Sequence, residues 1–486
     1  MVIGRGGWGP ATGVLSKELG HLSRVSGRLS NGFVTFLFSI GRAEDADANH
    51  VVLDTREGHG PAVAHFRHCP FYSSDVWRCG AAIRRGQDSG PMGSARSGCS
   101  SSVRAIADDA CPSVSFDGIA VPMIVRSEPA QKLAGVKPAQ FPVFGCEVAV
   151  PAGSVAAVLD RKPLPLARPN PQRIVIFGDS GCRLFNGATA QACNDPNSWP
   201  FPKIARAAAF SRPDLVIHVG DYEYRETTCP VGNMGCAGSP WGYGWDAWNA
   251  DFFQPAAPLL AAAPWVMVRG NHENCSRAGE GWFRFLDRLP MEPTCRDLTG
   301  VFVARLGDFG MVVVDSGTAA DPPGDLSELA AILRRQFIDV LDKIPDNAWL
   351  LTHRPLNAMF AGPVGAQSND LANKVLQLAL GSDMPAGVRM IVSGHVHAFQ
   401  AVDFGGMRPP QLVVGTGGDT LNLMPPMSVA GTDVNGGKVV NFATHSGFGY
   451  MVWDRLENIW VGTLFDVDGK AINHCRLAGR SLSCGY

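Results

Sequence analysis

Five short polar segments of this sequence could do chemistry, and each directly follows an apolar run. They are Gly178-Asp179-Ser180-Gly181, Gly220-Asp221-Tyr222-Glu223-Tyr224, Gly270-Asn271-His272-Glu273, Leu350-Leu351-Thr352-His353 and Gly394-His395-Val396-His397. Carboxylates, an amide oxygen and imidazoles suit first-row transition metals, and a phenolate adds a hard ligand that favours ferric iron. Taken singly, each segment has a plain structural explanation. A Gly-Asp after a strand is often only a turn. Asn271-His272 could be a turn with a satisfied histidine, and His353 could be a core or loop histidine. His395 and His397 alternate at a strand end, which brings two imidazoles to one loop and makes that pair the strongest single signal. Together the segments are specific: Asp, Asp-x-x-Tyr, Asn-His, His and His-x-His occur in that order, each at the carboxyl end of a separate strand. That is where an open α/β sheet gathers its ligands.

The elements that must carry these loops are short β-branched runs at 173–177, 215–219, 265–268, 311–314, 349–352, 390–392 and 412–414. Between them, 202–210 and 326–341 have helical spacing, the second with Asp325 as its N-cap. Strands alternating with helices indicate an α/β architecture. The preceding stretch, 106–168, breaks into short β-type runs such as 120–125 and 144–150, separated by Pro and Gly. It is expected to be a small β-rich module ending in a stiff linker, with four prolines between Pro163 and Pro171. Residues 1–105, rich in Gly, Ser and Arg, are expected to be a disordered extension or the product of a misplaced start. Residues 169–474 form the expected catalytic domain and 475–486 a C-terminal tail.

The order and wording of the five loops resemble the calcineurin-like metallophosphoesterases, and within them the purple acid phosphatases, over roughly residues 170–420. Most of that superfamily has Asp-x-His in the first loop; this chain has Asp179-Ser180-Gly181 and offers Tyr224 instead, as the purple acid phosphatases do. The stretch 245–264 and Gly415-Thr416-Gly417-Gly418 also look like that subgroup. The resemblance implies a four-layer α/β/β/α sandwich of the metallophosphoesterase type, with the small β-rich module at its N-terminal side. It implies two metal ions, Fe3+ with Fe2+, Zn2+ or Mn2+. One would be held by Asp179, Asp221, Tyr224 and His397, the other by Asp221, Asn271, His353 and His395. The implied activity is hydrolysis of small phosphate monoesters by a metal-activated hydroxide attacking phosphorus in line, with His272 assisting the leaving group. The alternatives are a phosphodiesterase of the same superfamily and a non-catalytic relic that binds phosphate or a partner. The chain departs from the family in one place, because 354–368 lacks the histidines that help bind substrate in plant and animal members. Arg354, directly after His353, is the candidate replacement as a phosphate clamp. His445 and the loop 241–248 are candidates to line the entrance.

Composition limits the partners. The formal net charge is −2, from 42 basic and 44 acidic residues, so nothing points to nucleic acid. No apolar run approaches the ~20 residues of a bilayer span, and the apolar stretch 32–40 is short and distant from Met1 for an ordinary signal peptide. Ten of the thirteen cysteines lie after residue 110, an even number falling into short-range neighbours. Pairing in sequence order gives 111–146, 182–193, 229–236, 275–295 and 475–484, a framework suited to a secreted or periplasmic protein. Scattered free thiols are the alternative. Cysteine-ligated zinc sites are disfavoured by the absence of any Cys-x-x-Cys pair.

Overall fold

The computed structural model describes residues 71–78, 100–134, 137–185, 190–320, 324–362, 365–368, 373–381, 384–423 and 429–485. The chain divides into two units, Met1–Cys69 and Pro70–Tyr486; the first lies outside the described residues, as does the apolar stretch 32–40.

Two seven-stranded sheets face each other. In the first, Trp265–Met267, Leu215–His218 and Arg173–Phe177 run parallel, and Gly449–Leu456 then continues antiparallel into a meander through Ile459–Asp466, Ala471–Ala478 and Ser481–Gly485. In the second, the order is Phe302–Leu306, Phe309–Val313, Asn347–Leu351, Val388–Ser393, Gln411–Val414, Phe399–Asp403 and Asn441–His445. Side chains alternate across each strand, and here both faces are apolar because both are covered. Ile174 and Ile176 point into the space between the sheets, where they meet Met311, Trp349, Leu351 and Trp453. Val175 and Phe177 point the other way, onto the helices Phe201–Phe210 and Gln254–Leu260. In the second sheet Ala348 and Leu350 likewise pack under Ser327–Ile338 and Lys374–Leu380. The result is a four-layer α/β/β/α sandwich, as expected.

Boundaries moved by small amounts. The helix expected over 326–341 spans Ser327–Ile338, followed by a short 3-10 turn at Leu341–Lys343. The N-cap is Leu326 and not Asp325, whose carboxylate accepts from the Ser327 amide at 2.8 Å without capping the helix. The segment expected as a tail instead belongs, as far as residue 485, to the first sheet's last two strands, Ala471–Ala478 and Ser481–Gly485. Their pairing of Cys475 with Cys484 is closed by a disulfide.

The β-rich module is present, but it begins earlier than expected. Ser100–Ala107 pairs with both Phe71–Arg78 and Phe144–Ala149, so strands occupy part of the region expected to be a disordered extension. Its start was hidden because Gly- and Ser-rich flanks obscure the period-2 pattern that marks a half-buried strand. The linker also starts inside a strand, since Lys162–Leu164 pairs with Ala157–Leu159.

Two arginines fasten this module to the main domain. Arg126 donates to the carbonyls of Phe283, Arg284, Asp287 and Leu289 at 2.6–3.1 Å, and to Glu147 at 2.8 Å. Arg104 donates to the carbonyls of Phe285 and Asp287. The Arg126 and Glu147 side chains are 2% and 1% exposed, and Arg104 lies 3.5 Å from the same carboxylate, so the three buried charges depend on one another. Arg126→Ala should therefore cost about 3–5 kcal/mol. Denaturant unfolding checks this; a midpoint equal to the parent's would show that the clamp is immaterial.

Candidate metal centre

Each of the expected loops leaves a strand at its carboxyl end and turns into one shared pocket. The turns are sharp: Asp179, Asp221 and His395 have φ of 58°, 60° and 68°, a region few non-glycine residues occupy. Glycine makes two close approaches possible. A Cβ on Gly220 would lie 2.5 Å from His353 Nδ1, and one on Gly270 would lie 2.0 Å from Asp221 Oδ1.

At the bottom of the pocket the donor atoms converge. Tyr224 donates from its hydroxyl to Asp221 Oδ2 at 2.8 Å and lies 3.1 Å from both Asp179 Oδ1 and His397 Nε2. His353 Nε2 lies 3.0 Å from Asn271 Oδ1 and 3.1 Å from Asp221 Oδ2. Donor atoms of Asp221, His353 and His395 all fall within 4.8 Å of one another. Asp221 thus touches both groups of side chains, as a bridging carboxylate must.

The imidazoles are held by their other nitrogen. His353 Nδ1 lies 2.8 Å from the Val219 carbonyl, and His397 Nδ1 lies 2.7 Å from that of Thr420. A ring nitrogen tied to a carbonyl carries a proton, so in the neutral ring it is the Nε2 lone pair that faces the pocket.

Electrostatics point the same way. Asp179 and Asp221 are 0% and 1% exposed, a pair of carboxylates removed from water. Burial, followed by the charges of Asp221 and Asp179, pushes the Tyr224 hydroxyl well above its ordinary value. For His395, burial and the neighbouring Arg354 and His353 push the pKa well down. For His397, burial is outweighed by Asp419 and Asp179, which raise it to about 9. Buried carboxylates, a phenol and imidazoles thus converge at contact distance on one pocket. The donor set therefore fits metal cations.

The two remaining candidates also reach the site. Arg354 Nη1 lies 3.1 Å from His395 Nε2. His272 has Nδ1 3.0 Å from Glu226 Oε1, and Nε2 3.1 Å from Arg277 Nη2 and 3.9 Å from Asp221 Oδ2. Burial holds its pKa below the ordinary value.

Several residues that serve the site carried no local signal. Glu226 and Arg277 form an ion pair beside His272. Glu273 accepts from the amides of Gly270, Asp221 and Tyr222 at 2.8–3.0 Å and so holds two of the loops. Asp251 sits in the π-helical turn Asn249–Phe253; it accepts from the amides of Cys182 and Tyr224 and from Arg225. Arg183 forks onto Asp419, across 236 positions of sequence.

Above the donors lies an open cleft of about 850 Å³, with Asp221, Asn271, His272, His395 and His397 on its floor. The segment 241–248 does not line it: Trp245 and Trp248 are buried in the aromatic core beside the first sheet. His445 is also absent from the lining.

Among the described residues five disulfides join the cysteines in sequence order: 111–146, 182–193, 229–236, 275–295 and 475–484. Among the described residues no helix is long and apolar enough to cross a membrane.

A sequence model of the calcineurin-like phosphoesterase family matches residues 172–399, which contain every candidate ligand together with His272 and Arg354. No curated protein sequence matches the chain. Among solved structures, PhoD is similar at 12% identity and a TM-score of 0.50, over 88% of this chain and 94% of that one. A purple acid phosphatase from yellow lupin (Lupinus luteus) seeds is similar at 15% identity and a TM-score of 0.48, over 79% of this chain and 71% of that one. At such identities the PhoD likeness is one of fold.

Proposed function

We propose that this chain, whose residues 172–399 are a calcineurin-like phosphoesterase domain and which is therefore a phosphoester hydrolase, acts on phosphate monoesters at a two-metal centre of the purple acid phosphatase kind. The observation that carries this reading is Tyr224. Its hydroxyl sits among Asp179, Asp221 and His397, at the distances a shared ligand position requires. In this reading Asp179, Asp221, Tyr224 and His397 hold one metal, and Asp221, Asn271, His353 and His395 hold the other. When bound, the pair supplies Lewis acidity, which lowers the pKa of a water and neutralises charge on the phosphoryl oxygens.

The chain's own residues do the rest. Asp221 keeps the two groups of ligands together. Glu226 and Arg277 flank the two ring nitrogens of His272, whose Nε2 faces Asp221, and in this reading the ring assists the departing alkoxide. Arg354, beside His395, is placed to contact a phosphoryl oxygen. The disulfide framework supports a secreted or periplasmic location.

The breadth of the cleft favours one second reading, a diesterase, because it leaves room for a second ester substituent. Steady-state turnover of a chromogenic monoester and its matched diester separates the two. The monoester should be preferred by at least about tenfold in kcat/KM, a difference of about 1.4 kcal/mol in transition-state binding. A preference for the diester would replace the proposal.

A further inference from the structure

Two loops contribute much of the cleft's described lining. One is closed by the Cys182–Cys193 disulfide and contributes Arg183 and Phe185; the other contributes Leu421 and Asn422, with Phe448 beside it. This lining carries large apolar side chains. Phe185 is 40% exposed, although it lines a cleft in a well-packed domain. Phe448 is partly buried and rests on the aromatic core beside the first sheet, which gives it a rigid backing. Such side chains around a few placed polar groups are the usual lining of a small-molecule site.

The charge on these walls is already cancelled. Arg183, the one arginine or lysine among the described lining residues, donates from Nε to Asp419 Oδ1 at 2.9 Å and from Nη2 to Oδ2. Its guanidinium also lies 5.0 Å from the Tyr224 ring. A fork of donors committed to one carboxylate is poorly placed to bind a second phosphate.

We infer that the preferred substrate is a monoester whose leaving group bears an apolar ring and no second phosphate, with the ring held against Phe185, Leu421 and Phe448. The inference rests on the phosphomonoesterase reading and adds the substrate class. It also excludes sugar bisphosphates and nucleoside polyphosphates as favoured substrates, since their leaving groups carry charge that these walls do not match.

The test compares 2-phenylethyl phosphate with glycerol phosphate on the metal-loaded protein. Both are alkyl esters, so a difference reports the leaving group's fit more than its reactivity. The phenylethyl ester should be favoured by at least about tenfold in kcat/KM, mainly through KM, as expected for burying a ring against apolar walls. Phe185→Ala and Phe448→Ala should each erode that ratio, and Phe185→Leu should keep most of it. Calorimetric binding of 2-phenylethylphosphonate against 2-hydroxyethylphosphonate reads the same walls without turnover. Ratios near one in both assays, or a preference that survives both alanine substitutions together, would overturn the inference. If neither ester is hydrolysed while the phosphonate preference persists, the phosphomonoesterase reading fails and the ring site stands.

Discussion

Asp221→Asn is expected to empty both metal positions and to lower turnover by far more than a hundredfold. Losing a group that merely orients a ligand costs about 10–100-fold in metal affinity, and Asp221 is placed to be a ligand to both ions. Its Oδ2 contacts Tyr224 on one side and His353 on the other, while Oδ1 accepts from the His272 amide at 2.8 Å. Asparagine has the same shape and retains one carbonyl oxygen, so the His272 amide can keep its acceptor. What it loses is the negative charge and the second acceptor oxygen. With His353, His272 and His395 all around this point, a neutral side chain leaves two cations to be held close together without their shared counter-charge. Elemental analysis of the purified variant, beside circular dichroism to establish folding, reads the outcome. Metal content and turnover at the parent's level in a folded variant would refute the assignment of Asp221 as the bridge.

The positions of the candidate ligands were legible in the sequence because each depends on a local feature: an apolar strand, then a turn that leaves one side chain at the sheet's carboxyl edge. Asp179, Asn271 and His353 could be placed in that way, and each is found at the expected strand end. The disulfide partners were legible for a similar reason, since all five are near neighbours in sequence. The partners that tune the site were not. Arg183 meets Asp419, and Asp251 reaches back to the Cys182 and Tyr224 amides. No periodicity or motif connects such distant positions. Asp251 lies in a run of aromatic residues whose π-helical turn could not be distinguished from an ordinary helix by pattern. The strands after residue 440 were missed for another reason. They complete both sheets as antiparallel edges, where no βα loop supplies a chemical landmark. The beginning of the β-rich module was missed also because Arg104 reads from sequence as a surface residue, as does its partner Glu147 in the strand already expected at 144–150. They are buried because they satisfy each other and the carbonyls of a neighbouring segment.

Tyr222 and Tyr224 stand two positions apart on one loop, and the fold sends them in opposite directions. Tyr222 turns into the core: its ring stacks on His218 at 4.0 Å and its hydroxyl donates to the Val268 carbonyl at 3.0 Å. Tyr224 turns into the pocket, where its hydroxyl has Asp179, Asp221 and His397 as neighbours. Burial and those two carboxylates hold its proton on, and a cation among them would reverse that balance in favour of phenolate. A ferric phenolate absorbs visible light by charge transfer, which an ordinary buried tyrosine does not. Protein loaded with iron and oxidised should therefore be purple or pink. Tyr224→Phe should abolish the band while Asp179, Asp221 and His397 retain much of the iron. Tyr222→Phe should keep the band and lose only a buried hydrogen bond, about 1 kcal/mol of stability. Absorption spectra normalised to iron content distinguish the two variants. A colourless parent protein with stoichiometric ferric iron would remove Tyr224 from the ligand set. The centre would then be one of carboxylates, amide and imidazoles alone, a donor set better matched to manganese or zinc.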